Sequence, residues 1–220
     1  VWQRVESLQI ADRCVIATDS DEVADAVRPH GAEAFLTSAN HPSGTDRVAE
    51  VASRREFREF DAIVNVQGDE PFVSESALRG AVRQVTSGSF PLGTAAARGS
   101  EEILDEPNVV KVVAADDGRA MYFSRAAIPF LRDAAEAPLR GTRVWQHIGV
   151  YAYARDALAR WVSLPPHPLE RIERLEQLRP LAAGLAMGVA LVDEPPTVGV
   201  DTLDDLVRAN ANWKDLNGRI

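Results

Sequence analysis

One cysteine, Cys14, stands in a chain of 220 residues. A lone thiol makes no intrachain disulfide and no thiolate zinc cluster. It points to a reducing compartment, with the cytoplasm as the simplest home. The four histidines, His30, His41, His147 and His167, share no metal-like spacing, and no H-E-x-x-H helix is present. The G-x-S-x-G elbow, the Walker phosphate loop and the G-x-G-x-x-G fingerprint are also missing. Zinc proteolysis, serine hydrolysis and hydride transfer on a dinucleotide therefore lose ground. No apolar run reaches the roughly 18 residues that suggest a membrane span. Val1 to Ile10 is mixed and amphipathic rather than a secretory signal. Positive charge is in short supply: 24 Lys and Arg against 33 Asp and Glu leave a net charge of −9. A nucleic-acid partner is disfavoured, although a local basic pocket is not.

What is present is an alternation of short β-branched runs and amphipathic helices. Strands are expected at Arg13 to Thr18, Ala34 to Thr37 and Ala62 to Val66, with helices at Asp21 to Val27, Asp46 to Arg55 and from Ser74 onward. That rhythm predicts a mostly parallel sheet covered by helices. Leu92 to Arg98, Val109 to Ala114, Met121 to Ser124 and Ile148 to Tyr153 read as strands without full helices between them. They predict a β-rich extension over roughly 92–153, with a hairpin turn at Asp116-Asp117-Gly118. Arg132 to Arg143 reads as a surface loop. Helices follow at Arg155 to Val162 and Leu169 to Ala183, then a strand at Met187 to Val192 and a helix at Thr202 to Trp213. No linker or repeat divides the chain, so 1–220 is expected to be one domain. Val1, Val5 and Leu8 line one face of an opening helix, whereas a doubly wound fold normally opens with a strand and a ligand-facing loop.

Two acidic positions have the setting of a site. Asp69 follows the buried run Ala62 to Val66, in the turn Gln67-Gly68-Asp69-Glu70-Pro71. It suits a magnesium ligand at the carboxyl edge of a sheet, or an ordinary turn residue. Asp201, after Val198-Gly199-Val200, has the same two faces: metal ligand or helix N-cap. Together they suit divalent-metal chemistry on a phosphate. His41-Pro42-Ser43-Gly44-Thr45-Asp46-Arg47 opens a helix, where backbone amides meet an anion or Ser43 or Thr45 simply caps. Arg125 is placed to clamp a carboxylate. His147 fits a hydrogen-bonded core position as well as a ligand. The charges of the helix at Leu169 read as a solvated face with pairs such as Glu170 and Arg174.

In order along the chain, Val15-Ile16-Ala17-Thr18-Asp19, His41 to Arg47, Asn65 to Pro71, Pro107-Asn108-Val109-Val110-Lys111-Val112-Val113, Tyr122-Phe123-Ser124-Arg125, His147 to Tyr151, Leu175-Glu176-Gln177-Leu178-Arg179 and Gly199-Val200-Asp201-Thr202 resemble the 3-deoxy-manno-octulosonate (Kdo) cytidylyltransferases, or CMP-Kdo synthetases. Each motif is weak, but their joint order from about Val1 to Arg208 is specific.

The resemblance implies a nucleotide-diphosphosugar-transferase fold: a Rossmann-like α/β/α mixed sheet with an extension that makes a homodimer. It implies CTP and a 3-deoxy-2-ulosonic acid sugar as substrates, Mg²⁺ as cofactor, and a place in lipopolysaccharide-type glycan synthesis. No nucleic-acid or membrane partner is implied. By the same resemblance Asp69 and Asp201 hold the metal and serve catalysis, and Ser43, Gly44, Thr45 and Arg47 lie near cytosine and ribose. Gln67 belongs with the nucleotide group and also with the acid pocket, which Arg125, His147, Tyr151, Glu176 and Gln177 line. Two alternatives stay open: transfer to another acid (an amino-Kdo, a sialic-type acid or a phosphonate), or a non-catalytic nucleotide-binding homologue. Family members open with a strand and a loop of the form I-P-A-R-x-x-S-x-R-x-x-x-K that grips the triphosphate. Nothing here matches it, so the expectation is a sequence given without that segment, the alternative being a true truncation.

Overall fold

A computed structural model of the chain describes residues 1–194, 199, 200 and 202–217, the last four as backbone. The elements in order are α1 (Trp2–Leu8), β1 (Val15–Thr18), α2 (Asp21–Val27), β2 (Glu33–Leu36), α3 (Gly44–Ser53), β3 (Ala62–Val66), α4 (Glu75–Thr86), β4 (Leu92–Arg98), β5 (Lys111–Ala114), β6 (Ala120–Ser124), α5 (Ala137–Gly141), β7 (Trp145–Ala154), α6 (Arg155–Ser163), α7 (Pro168–Glu173), α8 (Leu178–Ala182), β8 (Met187–Val192) and α9 (Leu203–Asn217). Among the described residues no helix is long and apolar enough to cross a membrane.

The chain is an α/β protein with a mixed sheet. Strands β1 and β2 pair in parallel. The larger sheet runs β6-β5-β7-β4-β8, with β3 also on β7. Strand β7 is antiparallel to β3, β4 and β5, while β4 and β8 run parallel. Residue alternation explains why helices cover both faces. Ile148, Val150 and Ala152 of β7 join Ala95 and Ala97 of β4 in a core with Leu78 and Ala81 of α4 and Val5 and Leu8 of α1. Tyr151 and Tyr153 turn the other way and pack with Phe123, Leu158 and Trp161. Helix α4 lies close against the sheet: a Cβ on Gly93 would come within 2.3 Å of the Ala81 carbonyl oxygen.

The arrangement of partners along β7 creates a fork. Its C-terminal half pairs with β3, ending at Val66 opposite Val150. Its N-terminal end pairs with β5, at Gln146 opposite Lys111. The two partners diverge along one edge, and His147 to Gly149 lie between them. The β4–β7 register shifts at the same place, between Thr94 and Ala95, so a bulge re-aims the side chains there. An apolar cavity of about 980 Å³ separates β1 from β3 and extends to Gly44, Arg47, Gln67 and Gly68.

Four sequence expectations need correction. The sheet is not mostly parallel, because β7 at its centre runs antiparallel to β3, β4 and β5. Leu169 to Ala183 is not one helix. Arg174 takes a left-handed conformation, φ 56°, and ends α7, and α8 begins only at Leu178. Pro180 explains the restart, since proline is accommodated in a helix's first turn but would break a continuous helix. The expected Glu170–Arg174 pair gives way to Glu170 with Arg179, at 2.5 and 2.8 Å. The segment 132–143 is not wholly loop either: Pro138 sits in the first turn of α5.

Candidate active site

The site is built at the fork. Strand β3 delivers the turn Gln67 to Glu70, closed by a hydrogen bond from the Glu70 amide to the Gln67 carbonyl at 3.1 Å. The Gln67 amide donates to the Gly149 carbonyl at 3.3 Å, which ties this turn to the β7 bulge. Gly149 leaves room there: a Cβ on it would lie 3.1 Å from Gln67 Oε1 and 3.2 Å from Glu70 Oε1. Asp69 Oδ1 is buried and has no hydrogen-bond partner among the described residues. The Val200 amide donates to the Asp69 carbonyl at 2.8 Å, so the segment before α9 reaches the Asp69 corner. Asp201 itself lies outside the described residues. Beside it, Thr202 Oγ1 accepts from the Asp205 amide at 3.2 Å, at the start of α9.

The α3 entrance forms the second wall. Ser43 is the N-cap of α3, accepting from the Asp46 amide and donating to Asp46 Oδ2 at 2.6 Å. Thr45 is fully buried, with its hydroxyl 3.2 Å from that of Tyr153. Arg47 points to the ends of β1 and β2, where it pairs with Asp19 at 2.9 Å and donates to Thr37 Oγ1 at 2.6 Å. That bond holds the exposed Asp19 carboxyl below its ordinary pKa.

Glu176, in the turn after α7, faces Ser43 and Thr45. Burial pushes its carboxyl pKa up, and those two residues only partly offset the shift. Its Oε2 is buried without a hydrogen-bond partner among the described residues. Tyr151 links the walls: burial first, then the charges of Glu176, Asp69 and Glu70, keep its hydroxyl well above the usual range. Gln177 is buried beside Glu176, at the cap of α8.

His147 sits against Phe123 and Tyr151, ring centroids 5.0 and 5.4 Å away. Desolvation lowers its pKa to about 3, so it is neutral. Arg125, at the end of β6, stands to one side. Its guanidinium donates to the carbonyls of Glu173, Pro107 and Asn108, and its amide to the Glu173 carboxylate.

The structure thus gathers Ser43, Thr45, Gln67, Asp69, Tyr151 and Glu176 around one fork, with His147 and Gln177 adjoining. Gly44 and Arg47 lie along the cavity, and Arg125 stands apart, bonded to Glu173, Pro107 and Asn108. Sequence reasoning missed Thr94, Lys111, Gly149 and Glu173. Thr94 had one available signal, as the only hydroxyl in the small-residue strand Leu92–Arg98.

A family model described as Cytidylyltransferase matches residues 1–187. A 3-deoxy-manno-octulosonate cytidylyltransferase of Gemmatimonas aurantiaca is 62% identical over 217 residues, covering 99% of this chain and 84% of the relative. A protein of the same name from Legionella pneumophila (strain Corby) is 44% identical, covering 92% and 80%. Among solved structures, a CMP:2-keto-3-deoxy-manno-octonic acid synthetase complexed with CTP aligns with a TM-score of 0.84 and 34% identity, covering 97% of this chain and 87% of that one. A glucose-1-phosphate thymidylyltransferase structure from Bacillus anthracis, 15% identical with a TM-score of 0.58, shares the fold alone. With its family model spanning residues 1–187 and relatives of one name matched over 80% or more of their length, the chain belongs to the cytidylyltransferase family, among the 3-deoxy-manno-octulosonate cytidylyltransferases.

Proposed function

We propose that the full-length protein transfers the cytidylyl group of CTP to 3-deoxy-manno-octulosonate, giving the CMP-sugar and pyrophosphate. One observation carries the reading: a buried carboxylate oxygen of Asp69, without a hydrogen bond among the described residues, at the carboxyl end of β3. Relatives named for this reaction, and a structural neighbour bound to CTP, supply the substrates. In the reaction the anomeric hydroxyl oxygen bonds to the α-phosphorus. The bond to the departing pyrophosphate breaks in line, the leaving group keeps the electron pair, and the hydroxyl proton is released. The protein's contribution is positioning and fixed charge.

In this reading Ser43, Gly44, Thr45 and Arg47 receive cytosine and ribose, and Gln67 lies between nucleotide and acid. Arg125 clamps the acid's carboxylate, while His147, Tyr151, Glu176 and Gln177 line its pocket. Asp69 and Asp201 would hold Mg²⁺, which when bound neutralises charge on the triphosphate. The unbonded Asp69 Oδ1 fits a hard cation. Among the described residues no three His, Cys, Asp or Glu side chains form a metal cage. Magnesium is usually bound by one or two carboxylates together with substrate phosphates and waters, so the Asp69 corner suits it.

A homodimer accompanies this reading. Phe130 and Ile172, 83% and 76% exposed, offer apolar surface for a second copy. Light scattering on the purified protein checks it. The lone Cys14 supports a cytoplasmic location, and the product's use in lipopolysaccharide-type glycan synthesis follows from the acid. The deciding assay is Mg²⁺-dependent pyrophosphate release from CTP by the full-length protein, with a panel of ulosonic acids. Release with 3-deoxy-manno-octulosonate is expected. Release with a different acid only would replace the substrate, and no release with any acid would overturn the reading.

A further inference from the structure

Lys111 is fully buried at the start of β5, where burial lowers its pKa, and three acceptors engage all the N–H donors of an ammonium. Its ammonium donates to three main-chain carbonyls, those of Glu106 (3.0 Å), Val109 (2.8 Å) and Arg125. An interior charge costs several kcal/mol, and an apolar side chain of similar volume would pack there more cheaply. The acceptors show what the charge does. Glu106, Pro107, Asn108 and Val109 are consecutive, and all four carbonyls meet a cation. The outer two accept from Lys111, and the inner two accept from the guanidinium of Arg125 at 3.2 and 3.1 Å. Lys111 therefore holds Arg125 at both ends: directly through its carbonyl, and indirectly through the loop on which its guanidinium rests. The next carbonyl, of Val110, accepts from the His147 amide at 2.8 Å, which joins the loop to the fork. Glu173 completes the frame, taking the Ser124 hydroxyl at 2.6 Å and the Arg125 amide at 3.0 Å.

We propose that Lys111 is a positioning residue for Arg125, and that through it Lys111 governs how tightly the acid substrate is held, independently of CTP. This rests on the reading of Arg125 as the carboxylate clamp. Removing the ammonium frees the loop carbonyls and the Arg125 main chain together, and a clamp displaced by an ångström loses a large factor in its effect.

The test is a double-mutant cycle on the full-length enzyme with Lys111→Met, Arg125→Ala and the pair. Lys111→Met is expected to raise KM for the acid ~10-fold or more. KM for CTP should stay within ~2-fold, and Lys111→Met should add nothing in the Arg125→Ala background. Equal rises in both KM values, or full additivity, would overturn the proposal. If Arg125→Ala leaves the acid KM unchanged, the clamp reading fails and takes the proposal with it. If Arg125→Ala is effective and Lys111→Met silent, only the role of Lys111 fails. Should Lys111→Met not fold, Lys111→Gln, which keeps two N–H donors, takes its place in the cycle. Should neither fold, the ¹⁵N-ammonium resonance of Lys111 in the unmodified enzyme decides. A shift on adding the acid but not CTP supports the proposal, and no shift with the acid overturns it.

Discussion

The hydroxyl of Thr94 donates to the Val150 carbonyl at 2.8 Å, so toward His147 Nε2, 2.9 Å away, it is an acceptor. That fixes the tautomer. Nε2 carries the proton, and Nδ1 is left as an acceptor on a neutral ring. Thr94→Val keeps the shape but leaves both the His147 N–H and the Val150 carbonyl without this partner. The expected cost is about 1–3 kcal/mol in urea unfolding, with Thr94→Ser costing less. A Val variant as stable as the parent would refute the assignment.

Because desolvation lowers His147 to about 3, its titration affects stability with a definite sign. Between that value and the ordinary histidine pKa near 6.5, the unfolded chain binds a proton that the native ring refuses. Stability therefore rises with pH across that window and is fully present above it. Going from pH 7.5 to pH 5, His147 alone should cost about 1–2 kcal/mol. His147→Gln should flatten this part of the profile in unfolding curves at the two pH values. An unchanged slope would show that the ring takes up its proton alike in the folded and the unfolded chain.

Glu176 predicts an opposition between stability and activity. Its carboxyl pKa is raised by burial, so the native state holds its proton more tightly than the unfolded state. As pH rises through the unfolded value and then the native one, the ionised carboxylate becomes a growing burden. Glu176→Gln is expected to raise Tm at pH 7.5, to do so less at pH 4.5, and to weaken turnover. A Tm gain equal at both pH values would contradict burial as the cause.

Parts of this site announce themselves in sequence and parts do not, for physical reasons. Ala62 to Val66 followed by Gln67 to Pro71 is legible because the signal is local: a β-branched run that ends in a polar turn. The strand matches residue for residue. Ser43 and Ser74 cap their helices through contacts three residues away, equally local. Thr94 acts on a residue 53 positions along, and Glu173 takes the hydroxyl of Ser124 from 49 positions away. Nothing local marks the role of Lys111, whose partners at Glu106, Val109 and Arg125 come together only in the fold. The break after α7 was hidden for another reason. Leu175 and Leu178 continue the apolar pattern of a helix, while the left-handed turn at Arg174 swings Glu176 toward α3.

Gly149 shows how the bulge serves the site. Its missing side chain is the space in which Gln67 and Glu70 approach β7. Gly149→Ala requires those side chains to shift by a few tenths of an ångström, without demanding a forbidden backbone conformation. The expected result is a folded protein with kcat/KM lowered ~10-fold, a cost of about 1.4 kcal/mol in the transition state. A comparable loss in Tm with activity intact would place the role of Gly149 in packing instead.

Asp69→Asn separates charge from shape most cleanly. The amide matches the carboxylate in size, and the Asp69 carbonyl that accepts from Val200 is main chain, so the corner should keep its geometry. Oδ1 has no hydrogen bond to lose among the described residues. The negative charge that would hold magnesium is what disappears. The variant is therefore expected to keep the parent's Tm within a few degrees while pyrophosphate release falls by at least ~100-fold. Titration with Mn²⁺ as a paramagnetic probe should show weakened metal binding in parallel. Full turnover by the variant would remove Asp69 from the chemistry, and with it the reason that β3 ends in this turn.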